Sequence, residues 1–136
     1  MKILSPIERL KNMGFRQVGG WTLDSGKVLF TLDDIASSQN VLYAFISEDT
    51  VMYVGKTVQP LKQRMNGYKN PHPTQSTNIK GNKFITETLT ANKPVSIYAL
   101  PDNGLLYYGG FHVNLAAGLE DSLFSSLKPS WNTAGI

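Results

Sequence analysis

The chain has 136 residues, 41% of them apolar and 17% charged, with a formal net charge of +3. This composition fits one soluble globular domain with room for a core. The absence of cysteine and the presence of only two histidines, His72 and His112, exclude a disulfide framework and a thiolate or histidine-cluster zinc site.

Residues 1–40 come first. Ser5-Pro6 followed by Ile7, Leu10 and Met13 predicts a short helix, with a capping serine, proline at its first position and Gly14 as its stop. Phe15 to Thr31 alternates loosely around the turn signal Asp24-Ser25-Gly26-Lys27. This suggests a hairpin with Trp21 and Leu23 on one arm and Val28 and Phe30 on the other. A lone Trp21 in such a hairpin is read as a packing residue rather than a wedge against DNA bases. Asp33 to Asn40 is a small, polar connector. The opening MKILSPIERLKNMGF is too polar for a secretory signal, and no apolar run approaches membrane-spanning length, so an intracellular, cytoplasmic location is expected.

The stretch from Val41 to Lys69 carries the strongest pattern. Val41-Leu42-Tyr43-Ala44-Phe45-Ile46 and Val51-Met52-Tyr53-Val54-Gly55-Lys56 flank the polar tip Ser47-Glu48-Asp49-Thr50, which reads as a β-hairpin. After Pro60 the period becomes helical, with Leu61, Arg64, Met65 and Tyr68 on neighbouring turns. Arg64 and Tyr68, four apart, share one face.

Asn70-Pro71-His72-Pro73-Thr74 must end that helix. A second helix is predicted from about Ile79 to Ala91, with Asn78 as its cap and Gly81 as a weak point. Val95 to Leu100 alternates as a third strand, and Pro101 to His112 is a loop rich in glycine and tyrosine. The last helix is predicted from Leu115 to Leu127, capped by Asn114, striped by Leu115, Leu119, Leu123 and Leu127, and stopped by Pro129. Glu120 falls on the margin of that stripe. By pattern alone it is either an edge glutamate reaching water or a salt bridge, or a metal ligand or acid–base group, and the plainer reading leads.

Charge is unevenly spread. No acidic residue lies between Asp49 and Glu87, whereas Lys56, Lys62, Arg64, Lys69, Lys80 and Lys83 do. Six of the 13 basic residues therefore sit in this gap, leaving seven against 10 acidic residues elsewhere. Such a local basic surface suits a polyanion such as nucleic acid; a solvated lysine face explains it equally well.

Taken together, these positions resemble the GIY-YIG nuclease family. Its first triplet here reads Val41-Leu42-Tyr43 and its second Tyr53-Val54-Gly55. Lys56 follows, Arg64 and Tyr68 lie on the next helix, and Glu120 sits in Leu119-Glu120-Asp121-Ser122-Leu123 ahead of Lys128-Pro129-Ser130-Trp131-Asn132. The resemblance covers about residues 41–132 in the order strand, strand, helix, helix, strand, helix. Two departures stand out: valine replaces glycine at the start of the first triplet, and Asp121 adds a second carboxylate beside Glu120. Gln75-Ser76-Thr77-Asn78 is similar to the restriction-enzyme branch.

The resemblance implies an α/β (α+β) fold, with a small three-stranded antiparallel sheet flanked by helices over residues 41–136. Residues 1–40 would then be a helix–hairpin extension that carries specificity or covers a sheet edge. It implies a metal-dependent endonuclease acting on DNA. Glu120 would hold one Mg²⁺ or Mn²⁺, a hard cation content with oxygen ligands and water. Arg64 would grip the phosphate with its planar fork. Tyr43 or Tyr53 would position or deprotonate the attacking water, and as a base either would need nearby cations to lower its pKa. Lys56 and Tyr68 would bind phosphate or relay protons, and Asn132 would orient the end of the final helix or donate to phosphate. Lys62, Lys69, Lys80 and Lys83 would line the nucleic acid. Restriction-type cutting would favour a homodimer, because two antiparallel strands need two sites. The residues alone leave plainer roles open: Tyr43 and Tyr53 as strand aromatics, Gly55 as a strand-end turn, Arg64 and Tyr68 as a surface pair. A non-catalytic nucleic-acid-binding module is the alternative function.

Overall fold

The computed structural model describes residues 4–102 and 107–135, apart from the side chain of Leu115. Ser5 caps helix α1 (Pro6–Met13), its Oγ accepting from the Glu8 N–H, and Gly14 closes the helix in the left-handed region. Strands β1 (Arg16–Asp24) and β2 (Lys27–Leu32) form the expected hairpin, with Trp21 opposite Phe30 and Leu23 opposite Val28. A 3₁₀ turn, Asp34–Ser37, connects it to β3 (Val41–Ser47) and β4 (Thr50–Thr57). Then come α2 (Leu61–Lys69), α3 (Ser76–Thr90) and β5 (Val95–Pro101). A two-residue pair, β6 (Tyr107–Tyr108) and β7 (Phe111–His112), precedes α4 (Leu115–Leu127) and the short α5 (Ser130–Thr133). Among the described residues, no helix is long and apolar enough to cross a membrane.

The expectation of a three-stranded sheet is overturned. The main sheet has five antiparallel strands in the order β2-β1-β5-β3-β4, and β6-β7 form a second, two-stranded sheet. The cause is the free edge that a three-stranded sheet would leave on β5. Its unpaired N–H and C=O groups are taken by β1, which runs from Arg16 opposite Ala99 to Trp21 opposite Val95, with a bulge between Gln17 and Gly19. The N-terminal hairpin is thus hydrogen-bonded into the same sheet as Val41–Pro101. The loop expected over Pro101 to His112 also gains the β6-β7 pair, and residues 103–106 of it lie outside the described part.

The sheet is covered on both faces, which explains why every residue of β3 is buried. On one face Tyr43, Phe45 and Tyr53 pack with Trp21, Leu61, Met65, Tyr68, Ile85 and Trp131. Trp21 is a packing residue, edge-on to Phe30 and Phe45. On the other face Leu42, Ala44, Ile46 and Val54 meet Ile7 and Leu10 of α1 and Ala116 of α4, with Leu119, Leu123 and Leu127 partly buried against them. Each large side chain buried in this way stabilises the fold by roughly 1.5–3 kcal/mol. The predicted stripe of α4 is real but only half covered. The side chain of Leu115, placed in that stripe from sequence, lies outside the described part.

Candidate functional site

Adjacent residues of a strand point to opposite faces, and this divides the candidate residues. Tyr53 and Gly55 face the aromatic side of the sheet, while Val54 and Lys56 face α4. On the aromatic side, Tyr43 and Tyr68 are fully buried and their hydroxyl oxygens lie 2.6 Å apart. Arg64 enters the pair from α2. Its Nε donates to Tyr43 Oη at 3.0 Å, its Nη2 to Tyr68 Oη at 2.8 Å, and its Nη1 to Asn78 Oδ1 at 2.6 Å. The guanidinium carbon also lies 4.2 Å from the Tyr68 ring centroid, a close cation–π contact. Of the five N–H groups on a guanidinium, three are engaged here, leaving two for a ligand.

Gly55 makes this packing possible. A Cβ there would stand 2.7 Å from Tyr43 Cζ and Oη and 2.7 Å from Tyr53 Cε2, so the second triplet ends in glycine because two rings occupy the space. Gly81, a weak point in the helix by propensity, likewise leaves room for the Tyr68 ring, which a Cβ would meet at 2.6 Å.

Burial pushes the Tyr43 and Tyr68 phenols well above their ordinary range; neighbouring tyrosines add to this, and the attraction of Arg64 does not offset it. Burial opposes the charge on Arg64, but Tyr43 and Tyr68 outweigh it and hold the guanidinium above its usual value. Both phenols are therefore neutral and act as hydrogen-bonding groups. The native state keeps these protons where the unfolded chain would lose them near pH 10. Stability from the cluster is thus complete below that pH and falls as pH rises past it. The melting temperature is expected to drop more steeply between about pH 9.5 and 11 in the wild type than in Tyr68→Phe, a comparison that thermal melts can make directly.

Across the sheet, Lys56 Nζ and Glu120 Oε1 stand 3.8 Å apart, with side chains 43% and 29% exposed. Glu120 is therefore neither buried nor fully solvated, and its partner is Lys56 rather than the arginine–tyrosine cluster. Among the described residues, no group of three or more His, Cys, Asp and Glu could hold a metal. A cation here would rest on Glu120 and water, a donor set that suits a hard divalent ion. Asn132 reaches neither group. Its Oδ1 accepts from the Val54 N–H and its Nδ2 donates to the Val54 carbonyl, both at 2.9 Å. Asn132 thereby completes the outer edge of β4 and fastens α5 to it.

Lys62 and Lys69 lie on α2 and Lys80 and Lys83 on α3, with Lys69 partly buried and the others exposed. Lys83 pairs with Glu87 at 4.0 Å. The residue that sequence reasoning misplaced is Asn78. It is not the cap of α3, which begins earlier at Ser76; it is buried and holds Arg64 while its own Nδ2 donates to Gln75 Oε1 at 3.0 Å. A polar residue on the inward side of a helix that starts one turn earlier was the available signal. Asn78→Ala removes a charge-assisted bond worth roughly 1.5–3 kcal/mol. It is expected to lower the melting temperature by several degrees, whereas Asn78→Asp keeps the acceptor and most of the stability.

The chain shares its fold with two solved structures. A mutant of bacteriophage T4 EndoII matches with a TM-score of 0.70 and 23% identity, covering 96% of this chain and 99% of that one. Restriction endonuclease HPY188I in complex with product DNA matches with a TM-score of 0.56 and 14% identity, covering 90% of this chain and 79% of that one. No family model matches the sequence, and no curated protein does.

Proposed function

We propose that this chain is a metal-dependent DNA endonuclease of the GIY-YIG kind. The observation that carries the proposal is the fixed arginine–tyrosine cluster on one side of the end of β4, with the Lys56–Glu120 pair on the other. The shared fold supports it, since one neighbour is a restriction endonuclease seen with product DNA.

In this reading a phosphodiester lies across the end of β4. Arg64 is held by three hydrogen bonds, so its two remaining N–H groups are aimed without further ordering, and preorganised charge of this kind stabilises a pentavalent phosphate most effectively. Tyr43 and Tyr68 share one hydrogen bond, which uses one phenolic proton and leaves the other to donate. Because burial keeps both Tyr43 and Tyr68 protonated, neither is assigned as the base, and Tyr53 is assigned the orientation of the attacking water. Glu120 would hold Mg²⁺ or Mn²⁺, which supplies Lewis-acid stabilisation of the phosphate when bound. Lys56 neutralises Glu120 until DNA arrives and then turns to phosphate. Asn132 acts through the strand: by gripping both backbone groups of Val54 it sets the position of Gly55 and Lys56. Lys62, Lys69, Lys80 and Lys83 carry the flanking backbone. Cutting both strands at one place would require two copies on the DNA.

A second reading, a nucleic-acid-binding module without turnover, is favoured by the Lys56–Glu120 pair itself, since that ammonium already occupies the carboxylate. Supercoiled plasmid incubated with the protein in Mg²⁺, Mn²⁺ or EDTA separates the two. Discrete metal-dependent fragments are expected for restriction-type action, and nicks or smears for structure-guided or nonspecific cutting. Plasmid that is bound yet intact in every condition would favour the binding module.

A further inference from the structure

Arg64 is held by Tyr43, Tyr68 and Asn78. The two phenolic oxygens can each donate or accept, whereas Asn78 Oδ1 only accepts. It also makes the shortest of these contacts, 2.6 Å to Nη1. An asparagine side chain carries that oxygen back to back with an NH₂ group of almost the same shape. A half-turn of the amide would set the NH₂ against the guanidinium, donor facing donor. The group that holds the amide the right way round is Gln75. Its Oε1 accepts from Asn78 Nδ2 at 3.0 Å and from the His72 N–H at 3.2 Å, and its own N–H donates to the His72 carbonyl at 2.9 Å. The polarity of this chain is fixed from both ends. A backbone N–H and a guanidinium can only donate. Gln75 therefore presents its oxygen to His72, and Asn78 its nitrogen to Gln75 and its oxygen to Arg64. Space is short as well, since the amide lies against Gly67, where a Cβ would stand 3.2 Å from Asn78 Nδ2.

We propose that Gln75 is a positioning residue for Arg64: it fixes the orientation of the Asn78 amide and so aims the guanidinium, an inference that rests on the reading of Arg64 as the group that grips phosphate. Gln75 is exposed and Asn78 is buried, so Gln75 acts through its neighbour and its loss leaves the core packing intact. Without it, the Asn78 NH₂ has lost its acceptor and the amide is free to turn. The guanidinium then keeps two phenols, which also bond to each other, and loses its one obligate acceptor. Arg64 stays charged and close to the phosphate but spreads over more than one orientation. The loss falls on transition-state stabilisation more than on binding. The carboxylate introduced by Asn78→Asp needs no such lock, because both of its oxygens accept.

Gln75→Ala, Asn78→Asp and their combination test this in the full chain. Gln75→Ala is expected to lower kcat for plasmid cleavage at least about ten-fold, with DNA affinity in EDTA changed by less than about two-fold. Added to Asn78→Asp, the same substitution is expected to change kcat by less than about two-fold, since the amide that Gln75 orients is gone. The Arg64 Nε–H resonance gives a readout that needs neither DNA nor metal. Identified as the arginine side-chain signal missing from Arg64→Lys, it should shift or broaden in Gln75→Ala. It should stay in place when Gln75→Ala is added to Asn78→Asp. An Arg64 signal unmoved by Gln75→Ala, or equal losses of kcat in both backgrounds, would overturn the proposal. Cleavage that needs Arg64 but is indifferent to Gln75 would reject the positioning role and leave the nuclease reading intact. A wild type that leaves plasmid uncut in Mg²⁺ and Mn²⁺ would reject the nuclease reading, and the resonance would then decide the role of Gln75 by itself.

Discussion

Glu120→Gln is expected to lower metal-dependent plasmid cleavage by at least about 10³-fold while leaving DNA affinity in EDTA almost unchanged. The substitution keeps the shape of the side chain and removes the one charge that a divalent cation would need on α4. Little else depends on that charge. Its contact with Lys56 is long and half solvated, and such pairs contribute about 0–1 kcal/mol, so the variant should melt close to the wild type. Loss of a negative charge near the phosphates should, if anything, tighten binding slightly. Mn²⁺ binding measured by electron paramagnetic resonance gives a readout independent of turnover and should weaken in the variant. A variant that still cuts would refute the assignment of Glu120 to the metal.

Gly55→Ala is expected to cost roughly 1–3 kcal/mol of stability and to remove most cleavage. The added methyl would arrive 2.7 Å from Tyr43 and from Tyr53, and neither ring has an easy retreat. Tyr43 is fully buried and tied to Arg64 and Tyr68, and Tyr53 packs against Phe45. Relief must come from moving the tyrosines, which also unseats the guanidinium, or from bending the end of β4, which moves Lys56. Either route disturbs the site as well as the core, so stability and activity should fall together, whereas Glu120→Gln separates them. Thermal melts and plasmid cleavage on the same preparation test this. Unchanged melting with full activity would show that the rings yield freely and that Gly55 has no packing role.

Local patterns proved legible in the sequence. Ser5, Pro6 and Gly14 bound the first helix, Asn114 caps the last one, its Oδ1 accepting from the Ala117 N–H, and the hairpin of Val41–Thr57 forms at the expected place. These features depend on neighbours a few residues away, where propensity, capping and period two act directly. The candidate residues were named through a resemblance, but how they are arranged was not legible. By period two, Tyr53 and Lys56 had to face opposite sides of one strand; which partner each would meet there depended on α2 and α4, whose docking no local pattern records.

The rest was decided by tertiary structure. Asn78 reads as a helix cap because asparagine favours caps; the docking of the partly buried Arg64 against two buried phenols made Asn78 the acceptor for the guanidinium. The N-terminal hairpin reads as an extension that either carries specificity or covers a sheet edge; β5, far along the chain, left the edge that β1 covers. Sequence by itself determined most of the local elements, since helix caps, turns and period are set by side chains and their immediate neighbours. The five-stranded sheet, the buried phenols and the position of Glu120 beside Lys56 came only with the fold, because strand edges, buried charges and free volume acquire partners only when distant segments close on one another.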